Sequence, residues 1–380
     1  MTNQNAHKQP APHLLEILKI VEGAVNADHS KVAAYVEQLA AKIEADGDPK
    51  AADRLRNVLS KSKFREVTAA KVAPKLPVDS ESRLALADEE FFSPEEVKIF
   101  LSPKAQNTAT EFIRFVQSAG NLVKQGVGIS PSLLLYGPPG CGKTELSHFI
   151  GAQLELPVLT ARSDALVSSF LGSTAKNLRT LFEHAMARPC VLFLDEFDSI
   201  AKMRDDRHEL GELKRVVVSL LQNIDALHNG TVLLAATNHE HLLDSAIWRR
   251  FAFKIHIDKP DASAREKMTQ YFLDTFATPQ NVKVATELTD GLSGSEIKQI
   301  CDDSKRATIL NGQTHVCSTE LMRRIVAIRL PEVTDGMPLE EQLKAVRNLS
   351  PKLFTYRRLR DLFDVSVGYI SNTLGEPGDA

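Results

Sequence analysis

Two groups of residues have the types and spacing to do chemistry. Residues 137–144 read Gly-Pro-Pro-Gly-Cys-Gly-Lys-Thr, and Asp195 and Glu196 close the apolar run Val191-Leu192-Phe193-Leu194 about fifty residues further on. In the first group Gly137, Gly140 and Gly142 permit a tight turn that brings backbone N–H groups onto phosphate oxygens. A helix beginning near Lys143 aims the positive end of its dipole at the same anion. Lys143 is expected to reach the β- and γ-phosphates of a nucleoside triphosphate, and the Thr144 hydroxyl to ligate Mg²⁺. Pro138, Pro139, Cys141 and Glu145 complete the candidate nucleotide-binding loop. Asp195 is expected to hold the same Mg²⁺, through water, and Glu196 to polarise the attacking water as a general base.

Two further positions belong with these. Asn238 ends the apolar stretch Ala235-Ala236-Thr237, where a side-chain amide can orient the attacking water or touch the γ-phosphate. An ordinary turn asparagine is the plainer reading. Arg249 and Arg250 stand just before the apolar run at 253–257. They read either as a solvated basic pair or as arginine fingers reaching a neighbouring subunit's nucleotide, an element worth ~10³–10⁵ in rate.

The elements that must position these residues follow from the pattern. Residues 133–136 are an apolar run ahead of the loop, and 145–154 an amphipathic segment behind it. The order strand, glycine-rich turn, helix is what a phosphate-binding loop requires. Further strands are expected at 157–160, 190–194, 231–236 and 253–257, with helices over 163–188, interrupted by a loop, and over 209–226. Strands alternating with helices predict a parallel α/β sheet. Ligands of such sheets bind beyond the carboxyl ends of the strands, where Asp195, Glu196 and Asn238 emerge.

Bulk properties set the outer bounds. The chain has 380 residues, enough for two or three folding units with a real core. With 43% hydrophobic and 25% charged residues and a net charge of −3, nothing in the bulk composition suggests a global polyanion binder, and a local basic patch stays open. No apolar stretch reaches the length of a membrane span, and the polar start lacks the apolar core of a secretory signal. The four cysteines, Cys141, Cys190, Cys301 and Cys317, show neither a Cys-x-x-Cys pair nor metal-ligand spacing. A reducing cytoplasm is the expected location.

The phosphate loop, the Asp-Glu strand end, the Thr-Asn strand end and Arg-Arg-Phe occur in the order and spacing of the AAA ATPase family, which the chain resembles over roughly residues 85–330. Within that family it is similar to the protein-remodelling ATPases related to katanin, spastin and the ESCRT-disassembling enzyme. The resemblance implies an ATP- and Mg²⁺-dependent ATP hydrolase built as a P-loop NTPase α/β core with a small helical lid. Lys143 and Thr144 match the first nucleotide motif, Asp195 and Glu196 the second, and Asn238 the first sensor. Arg249 and Arg250 match the finger pair supplied in trans, which implies a homo-oligomeric ring, usually a hexamer. Gly294 and Ser295, within Gly-Leu-Ser-Gly-Ser-Glu-Ile at 291–297, resemble the lid motif beside the adenine; many relatives have alanine where this chain has Ser295. Phe170-Leu171-Gly172 matches the pore loop whose aromatic residue grips an extended polypeptide, with a core phenylalanine as the alternative. A second pore loop would lie around Gly211-Glu212. The implied substrate is a protein, and some bacterial relatives work beside a partner effector such as a protease.

The expected organisation is an N-terminal helical module over 1–62, a basic linker over 63–84, the large α/β subdomain over 85–258, a helical lid over 259–330 and a helical tail over 331–380. The first module reads as three helices, near 14–25, 30–45 and 50–59, either a folded cap or a substrate adaptor. A further helix is expected over 107–124, and lid helices over 262–275, 284–289, 294–309 and 319–328. The tail, with helices at 339–349, 355–363 and 366–374, resembles a helix-turn-helix. It departs from that pattern at Asp364, where glycine is usual, and at Arg360. Its would-be recognition helix has no Lys or Arg and offers only Ser371, Asn372 and Thr373 to base edges. Lys352, Arg357, Arg358 and Arg360 could meet phosphates. The tail therefore reads as a structural or protein-docking cap or, as the rival, as the DNA reader of a DNA-acting ATPase. A nucleotide-gated scaffold with negligible turnover is the third reading, which the set Glu196, Asn238, Arg249 and Arg250 argues against.

Overall fold

The computed structural model describes residues 29–375 except 63–75, 80–82, 120–121, 123–124, 127–129, 167–172, 202–211, 228–229 and 335. The chain divides into two units, residues 1–75 and 76–380.

In the first unit, helices α1 (His29–Ala45) and α2 (Pro49–Ser62) form an αα-hairpin. Gly47, at φ 96°, makes the reversal between them, and Asp48 Oδ1 caps α2 by accepting from Ala51 N at 3.0 Å. Leu39, Ala40 and Ala52 are buried in this hairpin, and Arg56 pairs with Glu44 across it at 2.8 Å. The helix expected near 14–25 lies outside the described residues.

The second unit begins with β1 (Ala87–Glu90), α3 (Pro103–Gln117), β2 (Ser132–Tyr136), α4 (Lys143–Leu154), β3 (Val158–Ala161) and α5 (Ser173–Met186). It continues with β4 (Cys190–Leu194), α6 (Glu212–Asp225), β5 (Thr231–Thr237) and β6 (Phe253–His256). Helices only follow: α7 (Ala262–Leu273), α8 (Pro279–Leu288), α9 (Gly294–Leu310), α10 (Ser318–Arg329), α11 (Leu339–Leu349), α12 (Tyr356–Phe363) and α13 (Val367–Leu374).

The sheet runs β1-β3-β4-β5-β2-β6, and every pair is parallel except β1 with β3. Successive strand residues point to opposite faces, and here both faces are covered. Leu134, Leu192, Leu194, Leu233 and Ala235 pack on one side with Phe182 of α5 and Leu220 of α6. Leu133, Leu135, Val191, Phe193 and Leu234 pack on the other with Phe112 of α3 and Ile150 of α4. Burial on both faces is why these strands read as continuous apolar runs rather than alternating ones.

Three elements differ from the sequence expectation. Strand β1 was not foreseen, because Ala-Asp-Glu-Glu carries no apolar run. It is held by its ladder to β3 and by an ion pair from Arg188 to Glu89. Ahead of it, Asp79 N donates to Leu84 O and Leu86 N to Pro77 O, both at 2.8 Å, so part of the segment expected as linker pairs as a hairpin. Helix α3 starts at Pro103, not 107, because Ser102 caps it and proline suits a first turn. It ends at Gln117. Helix α8 likewise starts at Pro279 rather than 284, with Thr278 Oγ1 accepting from Asn281 N at 3.2 Å.

The helices after the sheet share one core. Leu273, Leu288, Ile300, Leu321 and Ile325 of α7–α10 pack in the same cluster as Leu343, Val346, Phe354, Leu359 and Ile370 of the tail. The tail is thus built into the helical end of this unit. Asp364, at the helix-turn-helix glycine position, takes the left-handed conformation that glycine would take, φ 54°. Among the described residues, no helix is long and apolar enough to cross a membrane.

Candidate functional site

The glycine-rich turn between β2 and α4 is fixed by close approach as well as by backbone angle. Gly137 has φ 138°, and a Cβ there would lie 2.2 Å from Ile257 O. Gly140 has φ 70°, and a Cβ there would lie 2.1 Å from Ser295 Oγ. Backbone leaves no room for a side chain at Gly137, and at Gly140 the left-handed backbone strains any residue but glycine. Lys143 opens α4 and is only 7% exposed. Its Nζ donates to Gly137 O at 2.8 Å and Pro138 O at 2.7 Å, which curls the ammonium back under the loop. Burial pushes its pKa down, against the opposing pull of Cys141 and Asp195.

The second group faces the first. Thr144 Oγ1 donates to Asp195 Oδ2 at 2.9 Å, and Asp195 Oδ1 accepts from Glu196 N at 2.8 Å. Glu196 sits in the left-handed region at φ 48°, a conformation a non-glycine residue holds only where its surroundings impose it. Its Oε2 accepts from Ser163 Oγ at 3.2 Å. The end of β5 is tied to the same place: Phe197 N donates to Ala236 O at 2.8 Å, and Thr237 Oγ1 to Asp198 Oδ1 at 2.6 Å. Asn238 follows, and its Oδ1 is buried without a partner. An unpaired buried acceptor is costly and unusual, so this atom calls for a donor from outside the chain.

Residues of both groups line one end of a cavity of about 530 Å³. The volume falls in the range of small-molecule sites. The polar end carries residues 139–145 with Asp195, Glu196 and Asn238; the apolar end carries Ile99, Phe100, Leu101, Met268, Tyr271 and Phe272. Gly294 and Ser295, at the start of α9, complete the wall. Ser295 N donates to Gly140 O at 3.0 Å, so the lid helix α9 is fastened directly to the glycine-rich loop. A capping box, Ser293 with Glu296, fixes that helix start, and the hydrogen bonds from the Ser293 backbone and hydroxyl hold the Glu296 carboxyl below its usual range.

Sequence reasoning missed the apolar end, Ser163 and Asp198. Residues 99–101 are a short apolar run with no period to mark them. Ser163 was findable, since it lies just beyond the carboxyl end of β3, where open α/β sheets place their ligands.

Neither Arg249 nor Arg250 lines the cavity. Arg249 is exposed, whereas Arg250 forms a bidentate pair with Asp225, Nε to Oδ1 and Nη2 to Oδ2, both at 3.1 Å. Phe170, Leu171 and most of the segment expected as a second pore loop lie outside the described residues. Cys190 and Cys301 are buried and their thiols are pushed up to about 12, which makes them packing groups. Among the described residues no group of three or more His, Cys, Asp or Glu is placed to hold a metal.

The donor set nevertheless fits a hard cation of the kind that travels with a triphosphate. A threonine hydroxyl and a carboxylate, 2.9 Å apart at the mouth of an anion-binding loop, are oxygen ligands suited to Mg²⁺. A strand–loop–helix anion site with acids at the end of β4 and an apolar pocket alongside defines a nucleoside triphosphatase. The family model for the AAA ATPases, the ATPase family associated with various cellular activities, matches residues 133–259. An uncharacterized AAA family ATPase, y4kL, of Sinorhizobium fredii is 34% identical over 296 residues, covering 77% of this chain and 88% of that protein. The chain belongs to the AAA family, and it is an ATP-binding ATP hydrolase.

Other relatives match the ATPase region. The proteasome-activating nucleotidase of Sulfurisphaera tokodaii is 31% identical over 234 residues, 59% of each chain. The ATP-dependent zinc metalloprotease FtsH 2 of Bdellovibrio bacteriovorus is 30% identical over 233 residues, 57% of this chain and 37% of its own length. The chain thus spans well under two thirds of those two relatives.

Proposed function

We propose that this ATPase works as a homo-oligomeric ring that remodels, unfolds or threads a protein substrate and can deliver it to a partner effector such as a protease. The observation that carries the reading is the match of the ATPase core to relatives named for proteasome activation and ATP-dependent proteolysis. The packing of the tail argues in the same direction. Helices α12 and α13 bury Leu359 and Ile370 in the core of the lid, and α13 has no basic residue, which suits a cap better than a DNA reader.

The roles follow from the site. Residues 137–145 cradle the phosphates of ATP, and the apolar end of the cavity takes the base. Lys143 leaves the loop carbonyls to meet the phosphates. Mg²⁺, held by Thr144 and by Asp195 through water, would neutralise charge on the phosphate oxygens. Glu196, held in place by Ser163, takes the proton of the attacking water, and Asn238 Oδ1 accepts that water's other hydrogen. Gly294 and Ser295 transmit the state of the loop to the lid through the Ser295–Gly140 bond. The pair Arg249 and Arg250 serves a neighbour's site, and Phe170 with Leu171 grips the substrate chain.

The test is steady-state ATP turnover with and without an unstructured polypeptide, and with and without duplex DNA, for the wild type and for Phe170→Ala. The expected result is stimulation by polypeptide, lost in Phe170→Ala while basal turnover persists. Stimulation by DNA alone, indifferent to Phe170, would reject the protein substrate.

A further inference from the structure

The two adjacent arginines look equivalent in sequence but not in space. Every nitrogen of the Arg250 guanidinium has a partner in its own chain: Nε and Nη2 take the two oxygens of Asp225, and Nη1 donates to Ala246 O at 3.2 Å. A planar fork on a carboxylate, closed on its third nitrogen, fixes the group in one orientation. Its backbone is held as well. Arg250 N donates to Ile247 O at 2.9 Å, and Arg250 O accepts from Ser132 Oγ at 3.0 Å. The same Ser132 Oγ accepts from Ala252 N at 3.0 Å. Arg250 therefore ties together α6, the turn at 245–248 and the start of β2.

Arg249 sits one residue earlier at the end of that turn and is exposed. Among the described residues its guanidinium has neither a hydrogen bond nor an ion pair. The turn beneath it is rigid. Asp244 Oδ1 accepts from Ala246 N at 2.8 Å, Ile247 is fully buried, and Phe251 packs edge-to-face on Phe197 with ring centres 5.6 Å apart. The result is a free, permanently charged fork on a fixed mount.

We infer that the pair divides its work: Arg249 alone reaches the nucleotide of a second copy, and Arg250 is a positioning residue that acts through Asp225. This rests on the reading of the protein as a ring with arginines supplied in trans. The division predicts that Asp225, 24 residues upstream of Arg249 and far from any motif, matters for a neighbour's catalysis.

The experiment compares Arg249→Ala, Asp225→Asn and the exchange Asp225→Arg with Arg250→Asp, each alone and mixed with Lys143→Ala. The last variant lacks its own nucleotide site but keeps the arginine turn. Arg249→Ala is expected to lose turnover by roughly 10³-fold or more, as removal of a finger does. Asp225→Asn should lower kcat about two- to fivefold, the scale of one exposed ion pair, with KM for ATP unchanged. Mixing with Lys143→Ala should raise turnover of both Arg249→Ala and Asp225→Asn above the sum of the separate preparations. A fold defect confined to the subunit itself would show no such gain. The exchanged pair should recover turnover to within about twofold of wild type. An exchanged pair that folds, judged by its thermal melt, yet stays as inactive as Arg249→Ala would overturn the division; so would wild-type kcat in Asp225→Asn. If the exchanged pair does not fold, the mixing result for Asp225→Asn decides. Wild-type turnover in Arg249→Ala would instead reject the trans reading itself.

Discussion

Glu196→Gln is expected to stop ATP turnover, by a factor on the order of 10²–10⁴, while ATP still binds and holds the ring together. The amide keeps the size of the side chain and an oxygen that can accept from Ser163 Oγ, so the local geometry at 3.2 Å has no reason to move. What is lost is the base. Glu196 itself takes the left-handed conformation at the exit of a fully buried strand, and Asn238 Oδ1, on a residue lining the same cavity, has no donor. Phosphate release should fall, and light scattering in ATP should report a larger, longer-lived assembly than the wild type gives. Turnover within threefold of wild type would mean that the proton leaves by another route.

Lys143→Ala is expected to weaken nucleotide binding by about 30-fold or more, for a reason that the curled side chain makes specific. The side chain is nearly enclosed, and burial works against its charge, so an anion placed beside it would favour the charged form. In the free protein the carbonyls of Gly137 and Pro138 serve as its partners. Phosphates are the better ones. Truncating one member of a buried charge pair typically costs 2–5 kcal/mol, which is about 30- to several-thousand-fold in affinity. A thermal melt measures this directly. A ligand at a hundred times its Kd stabilises by about 2.7 kcal/mol, and that gain should fall to about 0.9 kcal/mol or less in Lys143→Ala while the melt without ATP moves little. A full ATP-induced shift in the variant would place the phosphates elsewhere.

Much of this site was legible because its residues report their own environment. The strands at 190–194 and 231–237 are continuous apolar runs because helices cover both faces, and each ends in the polar residues that the site uses. The glycine-rich turn is legible for the opposite reason: only glycine fits beside Ile257 O at 137, and the positive φ at 140 favours glycine. What could not be read depends on contacts distant in sequence. Strand β1 is acidic and exists through its ladder to β3 and the ion pair from Arg188. The apolar end of the cavity joins residues 99–101 to residues 268–272, and no local pattern links them. Arg250 and Asp225 are 25 positions apart, so a sequence shows two arginines where the fold holds one and frees the other. The tail shows the same limit. Its periodicity revealed three helices but not that their apolar faces belong to the lid's core.

The most direct test is the ATP-dependent loss of fluorescence from a folded reporter protein carrying an unstructured tail, followed in the presence of a trap for unfolded chains. The account predicts loss with wild type and ATP, and none with Glu196→Gln or Phe170→Ala. A reporter that stays folded under wild-type turnover, with that turnover rising only on addition of duplex DNA, would contradict it.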